Sequence, residues 1–237
     1  VLKYSKEIIS KVNSIKELIG EYETKPTKYY YLAIRNWINF CEDQEILVEK
    51  EINLIRKRVK KSFKDDLDSY VPSKNKVQEL LEVVKKNNYI SYLYVKLYLE
   101  SGLRGTEIDY FIQNYDSSKV EINNNIVTYP IYYQRGNKNS YYMFISKDLF
   151  DEVISNLDSL KKFKPSNVKS LIKKKNLVSL KYLRKYQFTL MIKAGISFEI
   201  ANFIQGRASK NVGFNPYLAK KEIALKEYYK LIFIQTF

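Results

Sequence analysis

Ile126-Val-Thr-Tyr-Pro-Ile-Tyr-Tyr133 and Ser140-Tyr-Tyr-Met-Phe-Ile145 interrupt a chain whose apolar residues otherwise recur every three to four positions. Both stretches are crowded with β-branched and aromatic side chains. A third, Lys119-Val-Glu-Ile122, precedes them across Asn123-Asn-Asn125. Runs of this composition bounded by turn residues read as strands. The loop Gln134-Arg-Gly-Asn-Lys-Asn139 joins the last two, so the three form an antiparallel meander with Lys138 near the tip of its second turn. Helical patterns flank the meander on both sides. The expected fold is mainly α with a small antiparallel β-sheet.

Upstream, Ile8, Ile9, Val12, Ile15, Leu18 and Ile19 make one helical stripe, which Gly20 is expected to end. Leu32, Ile34, Trp37, Ile38 and Cys41 make a second, and Ile46, Ile52, Ile55 and Val59 a third. The run Ile55-Arg-Lys-Arg-Val-Lys-Lys-Ser-Phe-Lys64 carries six basic residues beside three apolar ones, either a solvated helix face or a strip that follows a phosphate backbone. The polar stretch around Pro72 is the linker candidate. The expected division is a helical domain over 1–64, a linker over 65–73 and an α+β domain over 74–237. In the second domain, helix resumes at Lys74 and stops at Gly102, then returns from Lys147. The last helix has a start signal: Asn215 as N-cap, Pro216 at the first helical position and Tyr217 just inside. The chain opens on Val1 rather than Met, so an upstream segment is expected.

Composition narrows the chemistry. The 237 residues are 45% hydrophobic and 28% charged, the balance of a folded protein rather than a disordered one. No apolar run approaches the roughly 20 residues that span a bilayer, so no membrane span is expected. A single cysteine, Cys41, excludes an intramolecular disulfide and a multi-cysteine zinc site. The absence of histidine removes the common metal sites and the Ser-His and Cys-His nucleophile pairs. Neither a metal nor a cofactor is expected. Forty-one basic against 26 acidic residues leave a net charge of +15, which points to a polyanionic partner. The same lysine content, with the wealth of Asn, Ile and Tyr, also fits the codon usage of an AT-rich genome.

Three short segments stand out. In Glu100-Ser-Gly-Leu-Arg-Gly-Thr-Glu-Ile108, Gly102 ends one helix and Thr106 can cap the next, so Arg104 sits in a tight turn. It either binds helix C-terminal carbonyls or Glu107 structurally, or serves a ligand. In Lys181-Tyr-Leu-Arg-Lys185, Lys181 and Arg184 share a helix face. In Gln205-Gly-Arg-Ala208, Arg207 follows another glycine stop. A phosphodiester can be cleaved without metal or histidine if a tyrosine phenolate attacks phosphorus while fixed cations neutralise the non-bridging oxygens. Arginine suits the second task, since its fork matches phosphate and keeps its proton. A lysine can protonate the leaving oxygen, because burial and cationic neighbours lower its pKa.

These segments resemble the motif boxes of tyrosine recombinases, most closely those of archaeal integrases of the fuselloviral and Thermococcales-plasmid kind. Ser101-Gly-Leu-Arg-Gly-Thr-Glu-Ile108 is similar to the first box and Lys181-Tyr-Leu-Arg184 to the second, where bacterial members usually begin with histidine. Gly206-Arg207 matches the third, Tyr217 lies where the nucleophile should, and Lys138 matches the hairpin lysine. The resemblance implies catalytic roles for Arg104, Lys138, Lys181, Arg184, Arg207 and Tyr217. Residues before Lys64 are only generally like the family's DNA core-binding domain. Lys185 takes the place of a second histidine in some members and is read as structural or phosphate-binding.

The resemblance further implies site-specific strand exchange on double-stranded DNA at attachment sites. Tyr217 would form a 3′-phosphotyrosyl link, integrating or excising a viral or plasmid element. A homo-tetramer on DNA, with the two domains clamping the duplex, and a cytoplasmic, nucleoid-associated location in the host cell follow from it. Two alternatives stay open: a type IB topoisomerase using nearly the same chemistry, and a non-catalytic DNA-binding protein. The apolar residues from Leu218 to Phe237 exceed what one helix face buries, so the tail folds onto its own core or docks on a neighbouring protomer.

Overall fold

Successive residues of a strand point to opposite faces, so an unbroken apolar run needs a core on each side. A computed structural model describes residues 14–24, 26–60, 68–135, 138–207 and 214–232, without the side chains of 134, 135, 138, 139, 214–218 and 232. In it Val127, Tyr129 and Ile131 of β2 (Ile126–Arg135) and Met143 and Ile145 of β3 (Lys138–Ser146) join one apolar cluster. Ile126, Tyr142 and Phe144 belong to a second cluster. Both strand faces are therefore buried. Each fully buried side chain of this size stabilises the fold by about 1.5–3 kcal/mol.

The sheet has the order β1-β2-β3 and is antiparallel throughout. The strands run further than their composition predicts: Gln134 pairs with Asn139 and Arg135 with Lys138. A register shift between Pro130 and Tyr133 places Tyr132 at φ 45°, where the prolyl nitrogen has no N–H to give the ladder. β1 (Glu121–Asn123) starts two residues later than the sequence indicates. Ser117–Lys119 form a 3₁₀ turn instead, in which Asp116 accepts the Ser118 N–H at 3.0 Å.

The chain divides into two units, Val1–Asp68 and Ser69–Phe237. In the first, α1 (Ile15–Thr24), α2 (Lys28–Asp43) and α3 (Glu49–Arg58) share a core of Leu18, Tyr22, Ile34, Ile38, Ile52 and Ile55. Gly20 does not end α1. A helical glycine costs about 1 kcal/mol, which the burial of Leu18, Ile19 and Tyr22 around it offsets. Ile8, Ile9 and Val12 lie outside the described residues. Ile46 is exposed in the connection before α3, whose acidic first turn and basic last turn both favour the helix dipole. Within the basic run, Arg56 binds the Glu42 carboxylate, with one bond at 2.9 Å, while Lys57 and Arg58 are exposed. Residues 61–64 of that run lie outside the described residues.

In the second unit, α4 (Lys74–Asn87) and α5 (Tyr89–Ser101) meet at Asn88, whose side chain accepts the Ser91 N–H at 2.8 Å and caps α5. α5 is buried on nearly every side and forms the spine of the first cluster. α6 (Gly105–Gln113) leads to the sheet, and α7 (Lys147–Ser155), α8 (Leu157–Lys162) and α9 (Pro165–Lys174) follow it. α10 (Leu180–Lys193), α11 (Phe198–Ile204) and α12 (Phe214–Ile232) cover the second face of the sheet, bringing Met191, Phe203, Ala224, Tyr228 and Leu231 against Phe144. α12 starts at Phe214, so Asn215 lies inside it rather than capping it. Pro216 is tolerated there because first-turn N–H groups have no intrahelical partner. Thr106 likewise lies inside α6, and Arg104 is the capping position. The apolar residues Ala224, Tyr228 and Leu231 thus fold onto their own unit, whereas Ile223 stays exposed and residues 233–237 lie outside the described residues.

Candidate phosphate-binding site

The site is built from two helix ends. α5 stops because Gly102 turns left-handed at φ 61°, its N–H still bonded to Tyr98 O at 3.2 Å. α11 stops in the same manner at Gly206, φ 60°, where the Gly206 and Arg207 N–H groups bond back to Phe203 and Asn202 at 3.0 and 2.8 Å. Neither glycine tolerates a side chain. A Cβ at Gly102 would stand 2.0 Å from Gln187 Oε1, and one at Gly206 would stand 1.9 Å from Ser140 Oγ. These two stops leave C-terminal carbonyls pointing at the guanidiniums.

Arg184, on α10, donates from Nε to Gly102 O at 2.5 Å and from an Nη to Gln205 O at 2.7 Å. Arg104 follows the first stop in an extended conformation. Its backbone N–H donates to Glu107 Oε2 at 2.7 Å, and its guanidinium reaches Glu107 Oε1 and, at 3.0 Å, Gly206 O. Residues 102 and 82 positions apart in sequence are joined by these bonds. The structural role foreseen for Arg104, a clasp on Glu107 and a helix-end carbonyl, is therefore present. It uses two of the five guanidinium N–H groups, and Arg184 uses two of its own, so each keeps three for a ligand among the described residues. Arg207 is exposed, with its guanidinium carbon 5.1 Å from the Phe188 ring centroid.

The three arginines feel one another. Burial, then Arg104 and Arg207, holds the Arg184 guanidinium down to about 10, which leaves it charged at neutral pH. Burial, then Arg104, lowers Arg207 as well. The negative ends of α5 and α11 and the Glu107 carboxylate offset this repulsion. Arg104 and Arg184 line a cavity of about 350 Å³ together with Lys181, Lys169, Tyr98 and Ser179. Lys181 is exposed, its ammonium 4.4 Å from the Tyr182 ring centroid, and Lys185 sits 5.3 Å from the same ring.

Of the residues singled out in the sequence, Arg104, Arg184 and Arg207 converge electrostatically, and Lys181 joins the first two at the cavity. Lys138 opens β3 and Tyr217 lies in the first turns of α12. α12 is anchored on its own unit: Tyr228 Oη donates to Glu100 O at 2.9 Å, and Lys220 pairs with Glu199 at 2.6 Å. Sequence reasoning missed Lys169, Tyr98 and the buried Gln187. Lys169 is one lysine among many on a solvated helix, and Tyr98 falls on an apolar stripe that reads as core. Gln187 carried a usable signal, a polar residue on a buried stripe.

Fixed cations around a small cavity suit a protein that holds a phosphodiester. Residues 69–233, well over half of the chain, match the model of the archaeal phage integrase family, and the chain belongs to that family. It is thus a tyrosine recombinase of the integrase kind, with a role in site-specific DNA recombination and DNA as its partner. Among solved structures the chain is similar to a XerA recombinase, at 15% identity over 94% of this chain and 96% of that one, with a TM-score of 0.45. No curated protein matches the sequence. No helix among the described residues is long and apolar enough to cross a membrane.

Proposed function

We propose that the protein cleaves and rejoins double-stranded DNA at attachment sites through a 3′-phosphotyrosyl intermediate at Tyr217, integrating or excising a viral or plasmid element. The observation that carries this reading is the convergence of Arg104, Arg184 and Arg207 at two helix ends, with Arg104 and Arg184 opening onto the same cavity as Lys181. In the proposed reaction the Tyr217 phenol gives up its proton to solvent, its oxygen bonds to phosphorus, and the bond from phosphorus to the 5′-oxygen breaks. Lys138 gives that leaving oxygen its proton. Arg104, Arg184 and Arg207 hold the non-bridging oxygens as charge builds, and Lys181 adds to the field. The bond energy stays in the phosphotyrosine, so rejoining requires no added energy source.

The units Val1–Asp68 and Ser69–Phe237 are assigned as core-binding and catalytic domains, the second carrying every proposed catalytic residue. Four protomers act on a pair of sites in the host cytoplasm. The reaction proceeds without a metal. Trapping on a suicide duplex tests the reading: Tyr217→Phe should abolish the covalent adduct while DNA affinity stays within a few fold, because binding rests on many lysine–phosphate contacts. An adduct that persists in this variant assigns the chemistry to another residue. Unchanged cleavage in EDTA is expected, and inhibition reversed by Mg²⁺ would count against a metal-free step.

A further inference from the structure

Two glutamine side chains lie fully buried between the arginine-bearing segments. Gln187 and Gln205 are both 0% exposed. Gln187 Nε2 donates to Glu100 O at 2.5 Å, at the end of α5. Its Oε1 accepts from Gln205 Nε2 at 2.6 Å, and the same Gln205 nitrogen donates to Arg184 O at 2.7 Å. The Gln205 backbone carbonyl in turn accepts from the Arg184 guanidinium at 2.7 Å. Arg184 is thus gripped at its backbone and at its side-chain tip by one residue. The Gln187 amide also packs directly on Gly102, where no Cβ fits.

Burying an amide is unfavourable unless it is hydrogen-bonded, and Met or Leu would fill these positions without that requirement. Gln205 uses its nitrogen twice and leaves Oε1 without a partner among the described residues. A pair retained for packing alone gains nothing from such an arrangement. What the bonds do accomplish is to fix three segments relative to one another: the end of α5 that precedes Arg104, the turn of α10 that carries Arg184, and the end of α11 that precedes Arg207.

We propose that Gln187 and Gln205 form a buried positioning pair that sets the angle of the Arg184 guanidinium and the spacing of the two helix ends bearing Arg104 and Arg207. They touch no substrate. This rests on the reading of the cavity as the scissile-phosphate site.

The test is single-turnover cleavage of a suicide duplex selected for cleavage by the wild-type protein, with DNA affinity and Tm measured on each variant. Gln205→Met should slow cleavage by roughly 10²-fold, the loss typical of a catalytic group displaced by about 1 Å. Its DNA affinity should stay within about threefold, since phosphate contacts elsewhere dominate binding. In an Arg184→Ala background the same substitution should cost much less, because most of the pair's effect acts through Arg184 and only the spacing of the Arg104 and Arg207 helix ends is left to lose. Gln187→Met, which leaves Gln205 bonded to the Arg184 backbone, should lose less, and it decides the matter if the Gln205 variant fails to fold. Cleavage at the wild-type rate, or an equal further loss without Arg184, overturns the proposal. A wild-type protein that forms no adduct on any duplex overturns the reading of the site itself and the pair's role with it.

Discussion

Arg184 is held under electrostatic tension by its burial and by Arg104 and Arg207. Burial and two neighbouring arginines hold its pKa down to about 10, well below the ordinary guanidinium value, so between those two values the folded state binds fewer protons than the unfolded chain. Stability from this group therefore rises with pH only through that alkaline window, and at neutral pH the guanidinium stays charged. At neutral pH the mutual repulsion of the cluster is a cost, and the proposed phosphate-binding role predicts that an oxyanion relieves it. Sulfate or inorganic phosphate at millimolar concentration should raise the Tm of the wild type, by linkage to the folded state, and should do so much less in Arg184→Met. Equal shifts in both would place the anion elsewhere. The proposed division of labour is tested at Lys138. Lys138→Ala should slow cleavage by roughly 10² to 10⁴, and a 5′-bridging phosphorothiolate, whose thiolate leaves without protonation, should restore most of it. Arg104→Ala should not be rescued in that way, since its task is worth about 3 kcal/mol of charge stabilisation on the non-bridging oxygens. Equal rescue of both variants, or of neither, would defeat the assignment.

At the scale of elements, the end of α5 joins the two cores. The half-buried Glu100 side chain accepts the Ser146 N–H and hydroxyl at 3.0 and 2.8 Å and so ties α5 to the start of α7, while its backbone carbonyl accepts from Gln187 and Tyr228. Burial pushes the Glu100 carboxyl above its ordinary 4.5. The folded state then binds more protons than the unfolded chain above about 4.5, and stability falls as pH rises through the raised value. Glu100→Gln keeps an acceptor for Ser146 without the buried charge, so its Tm relative to wild type should improve from pH 5 to pH 8. A pH-independent difference would mean the carboxyl is not the source. The glycine stops are tested by Gly206→Ala, which combines a left-handed backbone, costing about 1–2 kcal/mol, with overlap on Ser140. A marked drop in Tm is expected, and an unchanged Tm would show that Ser140 yields freely.

Legibility in the sequence followed the range of the interactions involved. The stop at Gly102 and the antiparallel meander were readable because a glycine or a run of β-branched and aromatic residues acts locally. The passage of α1 through Gly20 was not, since it depends on packing by α2 and α3. The extension of the hairpin strands to Arg135 and Lys138 was not legible either, because these polar residues carry no strand pattern in the sequence. In the site, Arg104, Arg184 and Arg207 could be picked out by the glycines and helix signals beside them. The Gln187–Gln205 bridge could not, as its meaning lies in Glu100 O, 87 positions from Gln187.

For the whole molecule, the decisive quantity is the net charge of +15, which has two explanations with different consequences. If lysine content reflects codon usage alone, the charges are dispersed and few of them neutralise phosphates. If the basic residues follow the duplex, each phosphate contact releases counterions, and log Kd changes with log salt by about 0.9 per contact. A protein that engages both strands across an attachment site should make several such contacts, so affinity should fall about 10³- to 10⁵-fold between 50 and 200 mM salt if it makes 6 to 10 of them. Charge alone does not separate a recombinase from an enzyme that relaxes supercoils, because both grip a duplex through phosphates. Strand exchange requires two sites to meet. At a salt concentration where single-site binding is saturated, the protein should therefore join two differently labelled duplexes into recombinant products, with a rate that rises steeply with protein concentration as protomers assemble. Relaxation of a single plasmid at a rate linear in protein, with no joined product, would assign the chemistry to a monomer and set aside the tetramer.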